Sequence, residues 1–272
     1  MGNAHLHSIH VHPVKAVRGI APREAAVEPW GLAGDRRWVL VDDAGKVVTQ
    51  RQQPRLALAA AELVPDGGVR LSAPGMEPLT VPVPRPWGTV PVQIFRDKVD
   101  AVPAEDEAAH AWCSAYLGIG VRLAHMDDPA TRRPVDPEYA RPGETVSFAD
   151  GFPLLLTTTA SLDALIAQDD HADEGPLPMN RFRPSVVVTG TDAWAEDDWS
   201  RLTIGDVSFR VAKTCGRCVV TTTDQGTGER GREPLYSLGR HRRLGGKLVF
   251  GQNLVPLSGG TIRVGDPVRI LE

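Results

Sequence analysis

The chain has 272 residues, and 30 Lys plus Arg stand against 34 Asp plus Glu for a formal net charge of −4 at pH 7. At about 150 residues per domain this is one large unit or two modest ones. A hydrophobic share of 42% with 24% charged residues excludes a disordered chain, and the acidic balance excludes a general electrostatic grip on nucleic acid or anionic lipid, so an anion must be held locally.

The longest apolar stretches, such as Leu56 to Val64 and Pro153 to Leu156, fall well short of the roughly 18 residues that cross a bilayer. No cationic segment followed by an apolar one opens the chain, and Leu6 stands where an acylation signal wants Ser or Thr. No membrane partner and a cytoplasmic location are therefore expected. Cys113, Cys215 and Cys218 are too few, and odd in number, for a disulfide framework.

Glycine (27) and proline (23) punctuate short runs rich in Val, Leu and Thr, the rhythm of strands joined by turns. The expected fold class is mainly β with a few helices (α+β). In chain order the strand candidates are Ser8–Val11, Arg37–Asp42, Lys46–Gln50, Leu56–Val64, Val69–Ser72, Pro91–Ile94 and Val99–Val102. A helix follows, opened by Glu105, Asp106 and Glu107, carrying Ala109, Trp112 and Tyr116 at helical spacing, and stopped by Gly118. Cys113 lies inside it. A boundary near Gly118 divides the chain into residues 1–118 and 119–272, and the Pro-rich stretch Met126–Pro142, with Arg132, Arg133 and Arg141, reads as a long surface connection.

Beyond it, Ser147–Asp150 and Pro153–Leu156 are strand-like, and a helix opens at Ser161 with Leu162, Leu165 and Ile166 on one face. Val186–Thr189 has the pattern of a buried strand. Leu202–Lys213 reads as a hairpin turning at Gly205-Asp206. Val219–Thr223 is strongly β-branched, and Thr261–Leu271 alternates around Gly265-Asp266-Pro267 as a final hairpin.

Cys215-Gly216-Arg217-Cys218 admits several chemistries. A thioredoxin-type pair opens a helix, and the Val219–Thr223 run disfavours one. Structural zinc needs a second Cys or His pair, which is missing. There remain a single thiolate ligand to a soft metal, delivered by a Gly216-Arg217 turn to the start of the next strand, and two small buried residues flanking a turn. In extended chain the two thiols point to opposite faces.

Arg181, Arg183, Arg217, Arg240, Arg242 and Arg243 gather in this half of an acidic chain, which suggests an anion pocket, or else solvated and ion-paired arginines. Thr157–Ser161 is either a phosphate seat at a helix start or a helix cap, the cap being the better reading. His5, His7, His10 and His12 fall on two sides of an extended segment and do not converge on a metal. Nucleophile-elbow, P-loop and dinucleotide fingerprints are absent from the sequence.

The succession His12-Pro13-Val14-Lys15, Gly34-Asp35-Arg36-Arg37-Trp38, Phe182-Arg183-Pro184, Cys215-Gly216-Arg217-Cys218 with Thr221-Thr222-Thr223-Asp224, Phe250-Gly251-Gln252-Asn253 and Gly265-Asp266-Pro267-Val268 resembles the MOSC family, named for the molybdenum cofactor sulfurase C-terminal domain. The resemblance spans nearly the whole chain. It implies a β-barrel-like MOSC domain packed against a smaller N-terminal β-rich domain, with a molybdenum cofactor (Mo-molybdopterin) between them. It also implies Cys218 as the metal's protein ligand and catalytic residue, and cofactor contacts at Lys15, Arg36, Asp150, Phe152, Arg183, Ser185, Gly216 and Arg217. Ala16 stands where relatives commonly have Ser, and Ser185 where Asn is common, so some hydrogen bonds to the cofactor are lost or shortened.

The implied activity is two-electron reduction of small N-hydroxylated compounds: amidoximes, hydroxylamines or hydroxylated bases. The sequence ends soon after the last expected strand, so the iron–sulfur domain of some bacterial relatives is not expected, and electrons come from a separate ferredoxin, flavodoxin or cytochrome b5-type reductase system. Two rivals stay open: sulfur transfer through a persulfide on Cys218 or Cys215, and storage of the cofactor without turnover.

Overall fold

The computed structural model describes residues 4–168 and 177–272; residues 1–3, where the leader and acylation readings begin, lie outside them. In chain order come β1 (His5–Ile9), β2 (Glu24–Glu28), β3 (Gly31–Leu32), β4 (Trp38–Val41), β5 (Ala60–Leu63), β6 (Val69–Ala73), β7 (Met76–Val81), β8 (Val90–Ile94), β9 (Asp97–Pro103), α1 (Glu107–Leu117), β10 (Arg122–His125) and α2 (Pro129–Arg132). Then follow β11 (Leu154–Thr158), α3 (Thr159–Ala167), β12 (Val186–Thr189), β13 (Arg201–Ile204), β14 (Val207–Gly216), α4 (Leu235–His241), β15 (Arg243–Leu244), β16 (Lys247–Pro256), β17 (Gly260–Arg263) and β18 (Val268–Ile270). The protein is mainly β, as its composition predicts.

The principal sheet runs β1-β12-β11-β16-β14-β13-β18, with β15 beside β16. Its pairs are antiparallel except β11 with β12, whose parallel course requires the crossover that contains α3. The two ends of the sheet meet through Leu6 N to Asp266 O (2.9 Å), Gly265 N to Leu6 O (2.8 Å) and Val268 N to Ala4 O (2.8 Å), giving a nearly closed barrel. Alternation fills its interior. In β13, Leu202 and Ile204 point in while Arg201 and Thr203 do not, and they join Leu6, Leu156, Val188, Phe209 and Leu254 in one apolar cluster.

The other sheets are β4-β10-β9-β8, β5-β6-β7 and β17-β2-β3. Pairing of β1 with β12 and of β2 with β17 ties the first thirty residues to the barrel. α1 forms where its signals lie: Asp106 accepts from Ala108 N, Gly118 ends the helix in the left-handed region (φ 70), and Ala109, Cys113, Tyr116 and Leu117 are buried. The hairpin at Gly205-Asp206 is also present.

Several expectations are corrected. Thr261–Leu271 is no hairpin: β17 pairs with β2 and β18 with β13, because each edge finds a better-matched partner than its neighbour in sequence. Leu56–Val64 begins as a 3₁₀ turn over Pro54–Ala57, where Pro54 pre-sets the first turn, and only Ala60–Leu63 is strand. Lys46–Gln50 makes isolated bridges instead of a strand, and Ser147–Asp150 is irregular. Met126–Pro142 is not a surface strap, since Met126, Arg133 and Val135 within it are buried. α3 is capped by Thr158, whose hydroxyl accepts from Ser161 N at 3.1 Å, so Ser161 sits inside the first turn.

Candidate functional site

A cleft opens between the barrel and the N-terminal sheets. Lys15, Ala16, Arg36 and Thr49–Arg51 form one wall, and Ala149–Leu155, Phe182, Arg183, Ser185, Cys215, Arg217, Val220 and Asn253 the other. Ala16 (φ 69), Arg36 (φ 49) and Arg183 (φ 52) all line it in the left-handed region, which side chains with a Cβ rarely adopt. Such strain persists where surrounding contacts over-determine it, and it gathers at functional sites.

Those contacts are explicit. Arg36 Nη1 donates to Asp35 Oδ2 (2.5 Å) and Nη2 to the Arg183 carbonyl (3.3 Å), while Arg183 Nη2 donates to Val17 O (2.8 Å). Buried Asp35 also accepts from His12 N at 2.7 Å, which fixes the chain just before Lys15. Lys15 is buried and donates to Asp150 Oδ1 at 2.6 Å. Arg217 Nη2 donates to Phe182 O (2.6 Å) and Nη1 to Cys215 Sγ (2.9 Å), and Phe182 is held by stacking on Phe250 at 3.9 Å.

Cations dominate the cleft, with Asp150 and the adjoining Asp35 as counter-charges. Burial lowers the Lys15 pKa, against the lifting effect of Asp150. Burial and then Arg36 draw Arg183 down to about 9, opposed by Asp35 and Asp150, so it stays charged at neutral pH. Desolvation works against ionisation of Asp150, but Lys15, its hydrogen bond, Arg51 and Arg36 outweigh it and hold the carboxyl well below its ordinary range.

β14 ends at Gly216, and Cys218 heads a 3₁₀ turn over Val219–Thr222 instead of starting a strand. Thr221 N (3.0 Å) and Thr221 Oγ1 (2.9 Å) both donate to the Cys218 carbonyl, so local capping overrides β-branched propensity. Cys218 is half-buried, and Arg51 Nη2 lies 3.5 Å from its Sγ. Cys215 itself lines the cleft; Cys218 borders it through Arg51.

Of the residues expected from sequence, Lys15, Arg36, Asp150, Phe152, Arg183, Ser185 and Arg217 line this one cleft, and Gly216 is exposed at the end of β14 beside it. Ser185 Oγ accepts from Leu155 N at 3.2 Å, leaving its proton to donate. The remaining arginines go elsewhere. Arg181 Nη1 donates to Thr222 O (2.8 Å) and Arg242 pairs with Asp197 (2.5 Å) over the Trp194 ring, while Arg240 lies in α4 and Arg243 in β15. Thr158 and Ser161 serve the buried Glu196 carboxylate, not the cleft. Among the described residues no group of three or more His, Cys, Asp or Glu is placed to hold a metal ion.

Sequence reasoning missed Arg51, Gln50 and Arg133. Arg230 Nη2 donates to the carbonyls of Gln50 (2.5 Å) and Arg51 (2.7 Å), and Gln50 Nε2 to Ala16 O (2.7 Å), fixing Arg51 from two sides. Arg133 Nη1 donates to Ala149 O (2.5 Å) and Nη2 to Asp150 O (2.6 Å), holding the opposite wall. No local sequence signal marks these contacts.

A nearly closed barrel joined to a second β-rich part across a cation-lined cleft, with a two-cysteine turn at its rim, defines the class. Residues 3–120 match the MOSC N-terminal beta barrel domain and residues 143–269 the MOSC domain; the chain belongs to the MOSC family. It is similar to mitochondrial amidoxime-reducing component 1 of Homo sapiens, at 34% identity over 96% of this chain and 81% of that protein, and of Mus musculus, at 33% over 96% and 80%. Among solved structures, a Bordetella bronchiseptica protein is 27% identical with a TM-score of 0.34, covering 43% of this chain and 87% of that one. The YUAD protein of Bacillus subtilis is 7% identical with a TM-score of 0.45, covering 97% and 93%.

Proposed function

We propose that the cleft holds a molybdenum cofactor, with Cys218 as the metal's protein ligand, and that the chain reduces N-hydroxylated compounds such as amidoximes, hydroxylamines or hydroxylated bases. The observation that carries this reading is the meeting of a half-buried thiol turn with a cleft walled by Lys15, Arg36, Arg51, Arg183 and Arg217. The names of the relatives, amidoxime-reducing components, support the same chemistry.

The donor set suits the group. A molybdopterin phosphate calls for guanidinium forks and an ammonium, its polar ring for groups such as Ser185 and Asn253, and the metal for a soft sulfur. The Nε of Arg217 is buried without a partner, a polar atom at the cleft left unsatisfied. When bound, the cofactor supplies the two-electron chemistry that breaks an N–O bond. Lys15, Arg36, Arg183 and Arg217 would hold its anionic end, Cys218 its metal, and Phe152 and Phe182 would exclude water. Asp150, kept ionised by Lys15, is no proton donor.

Electrons would come from a separate protein of the ferredoxin, flavodoxin or cytochrome b5 kind. No helix among the described residues is long and apolar enough to cross a membrane, and a cytoplasmic site of action is part of this proposal. One observation favours a second reading: Cys215, not Cys218, lines the cleft with Arg217 Nη1 at 2.9 Å from its sulfur, a setting equally suited to a persulfide carrier.

The test is to purify the wild type, Cys218→Ala and Cys215→Ala from a host that makes the cofactor, and to measure molybdenum, oxidised-pterin fluorescence and benzamidoxime reduction with an artificial donor. Near-equimolar metal is expected in the wild type, a large loss in Cys218→Ala and retention in Cys215→Ala. Equal loss in both variants overturns the ligand assignment. Metal without reduction indicates storage, and a cyanolysable sulfur without metal indicates transfer.

A further inference from the structure

We propose that a second lobe opening from the cleft beside Cys218 is a substrate subsite, selecting planar N-hydroxylated compounds that carry a phosphate or carboxylate. The inference rests on the reductase reading above and adds to it the class of substrate. The lobe is an open depression that shares Lys15, Thr49 and Arg51 with the main cleft; its further walls are Lys46, Val47, Gln52, Gln93, Ile94 and Phe95, and no carboxylate lines it. Asp150, across the main cleft, is already paired to Lys15, and Asp42 Oδ1 accepts from Lys46 N at 2.8 Å without lining the lobe. On a chain of net charge −4 this is a concentrated positive pocket.

Phe95 is the second observation. Its backbone is left-handed (φ 53) and the residue is 53% exposed, an uncommon conformation for an aromatic residue and one that leaves apolar surface in water. The Arg51 guanidinium lies 5.0 Å from the ring centroid while its Nη2 is 3.5 Å from Cys218 Sγ, so one side chain connects the exposed ring to the sulfur. Lys46 is exposed and makes no ion pair among the described residues. Its backbone is nonetheless fixed to β8: Gln93 N donates to Gly45 O (2.7 Å) and Val47 N to Gln93 O (3.2 Å). A planar substrate over Phe95 thus has its anionic group in the field of Lys46 and Arg51 and its opposite edge toward Cys218.

The test compares kcat/KM for N4-hydroxycytidine 5′-monophosphate and for N4-hydroxycytidine with the cofactor-loaded wild type, Lys46→Ala and Phe95→Ala, alongside pterin content and calorimetric binding of cytidine 5′-monophosphate. The wild type is expected to prefer the phosphorylated compound by about tenfold or more at low salt. In Lys46→Ala that ratio should fall toward one with pterin content unchanged, and in Phe95→Ala the KM for both compounds should rise. A wild-type ratio near one, or a ratio unmoved in Lys46→Ala, overturns the proposal. Loss of pterin in Lys46→Ala assigns the lobe to the cofactor's own phosphate and overturns it too. Failure to reduce benzamidoxime as well defeats the reductase reading instead; the subsite is then judged on binding alone, which must be present in the wild type and weakened in Lys46→Ala.

Discussion

Lys15 Nζ donates to Asp150 Oδ1 across 2.6 Å, joining the turn before β2 to the turn before β11, yet the two partners are unequally placed: the Lys15 side chain is 8% exposed and that of Asp150 66%. Removing one end therefore does not mirror removing the other. In Lys15→Met, water solvates the orphaned carboxylate, whereas Asp150→Asn leaves a buried ammonium without its counter-charge. We expect Asp150→Asn to cost about 1–2 kcal/mol at pH 7 and Lys15→Met less, read from urea unfolding. Burial already lowers the Lys15 pKa and Asp150 opposes that, so the deficit of Asp150→Asn should shrink as rising pH removes the Lys15 proton. Equal costs for the two variants would refute this asymmetry.

Arg133 is 3% exposed and donates to Asp97 Oδ2 (2.8 Å) and to the carbonyls of Ser147 (3.2 Å), Ala149 (2.5 Å) and Asp150 (2.6 Å). Arg133→Ala strands those acceptors and should destabilise the fold by about 3–5 kcal/mol. Arg133→Lys keeps the charge but not the fork, and is expected to fall between. Denaturant midpoints decide the order. A loss under about 1 kcal/mol in Arg133→Ala would show that water replaces the guanidinium.

His125 packs against Trp38 with ring centroids 4.7 Å apart, and its Nδ1 is buried without a partner. Burial, then the Arg37 charge, bring its pKa to about 4 against the lifting effect of Asp127. The unfolded chain takes up this proton below about pH 6.5 and the folded chain does not, so stability is lost as pH falls from about 6.5 toward 4. The expected loss from this residue is about 3 kcal/mol over that window, and His125→Phe should flatten the profile. An unchanged slope in the variant would assign the acid sensitivity elsewhere, for instance to buried His12, whose pKa burial also lowers.

Buried Ser161 donates through Oγ to buried Glu196 Oε2 at 2.9 Å and accepts from half-buried Trp194 N at 2.8 Å. Ser161→Ala is expected to cost about 1–3 kcal/mol by leaving these groups unsatisfied while cofactor content stays at the wild-type level. Loss of pterin without loss of stability would restore the phosphate-seat reading of this segment.

Local order was legible in the sequence wherever the deciding interactions span a few residues. Asp106 and Gly118 bound α1, Gly205-Asp206 turns the β13–β14 hairpin, and alternation marks the barrel strands. The family motifs also pointed to Lys15, Arg36, Asp150, Phe152, Arg183, Ser185 and Arg217, which the fold gathers around one cleft. Propensity misled at Val219–Thr222, where hydroxyl and amide contacts to the Cys218 carbonyl outweigh the β-branched pattern.

Only the tertiary structure could decide which strands meet and which distant side chain reaches the sulfur. Ile262 pairs with Ala25 and Ile270 with Leu202, although the sequence makes the two segments look like partners of each other. Arg51 carries no pattern of its own; Arg230 and Gln225 position its turn from beyond Cys218. Capping, turn chemistry and alternation are properties of neighbours along the chain, whereas edge pairing and the convergence of charges depend on what folding brings near.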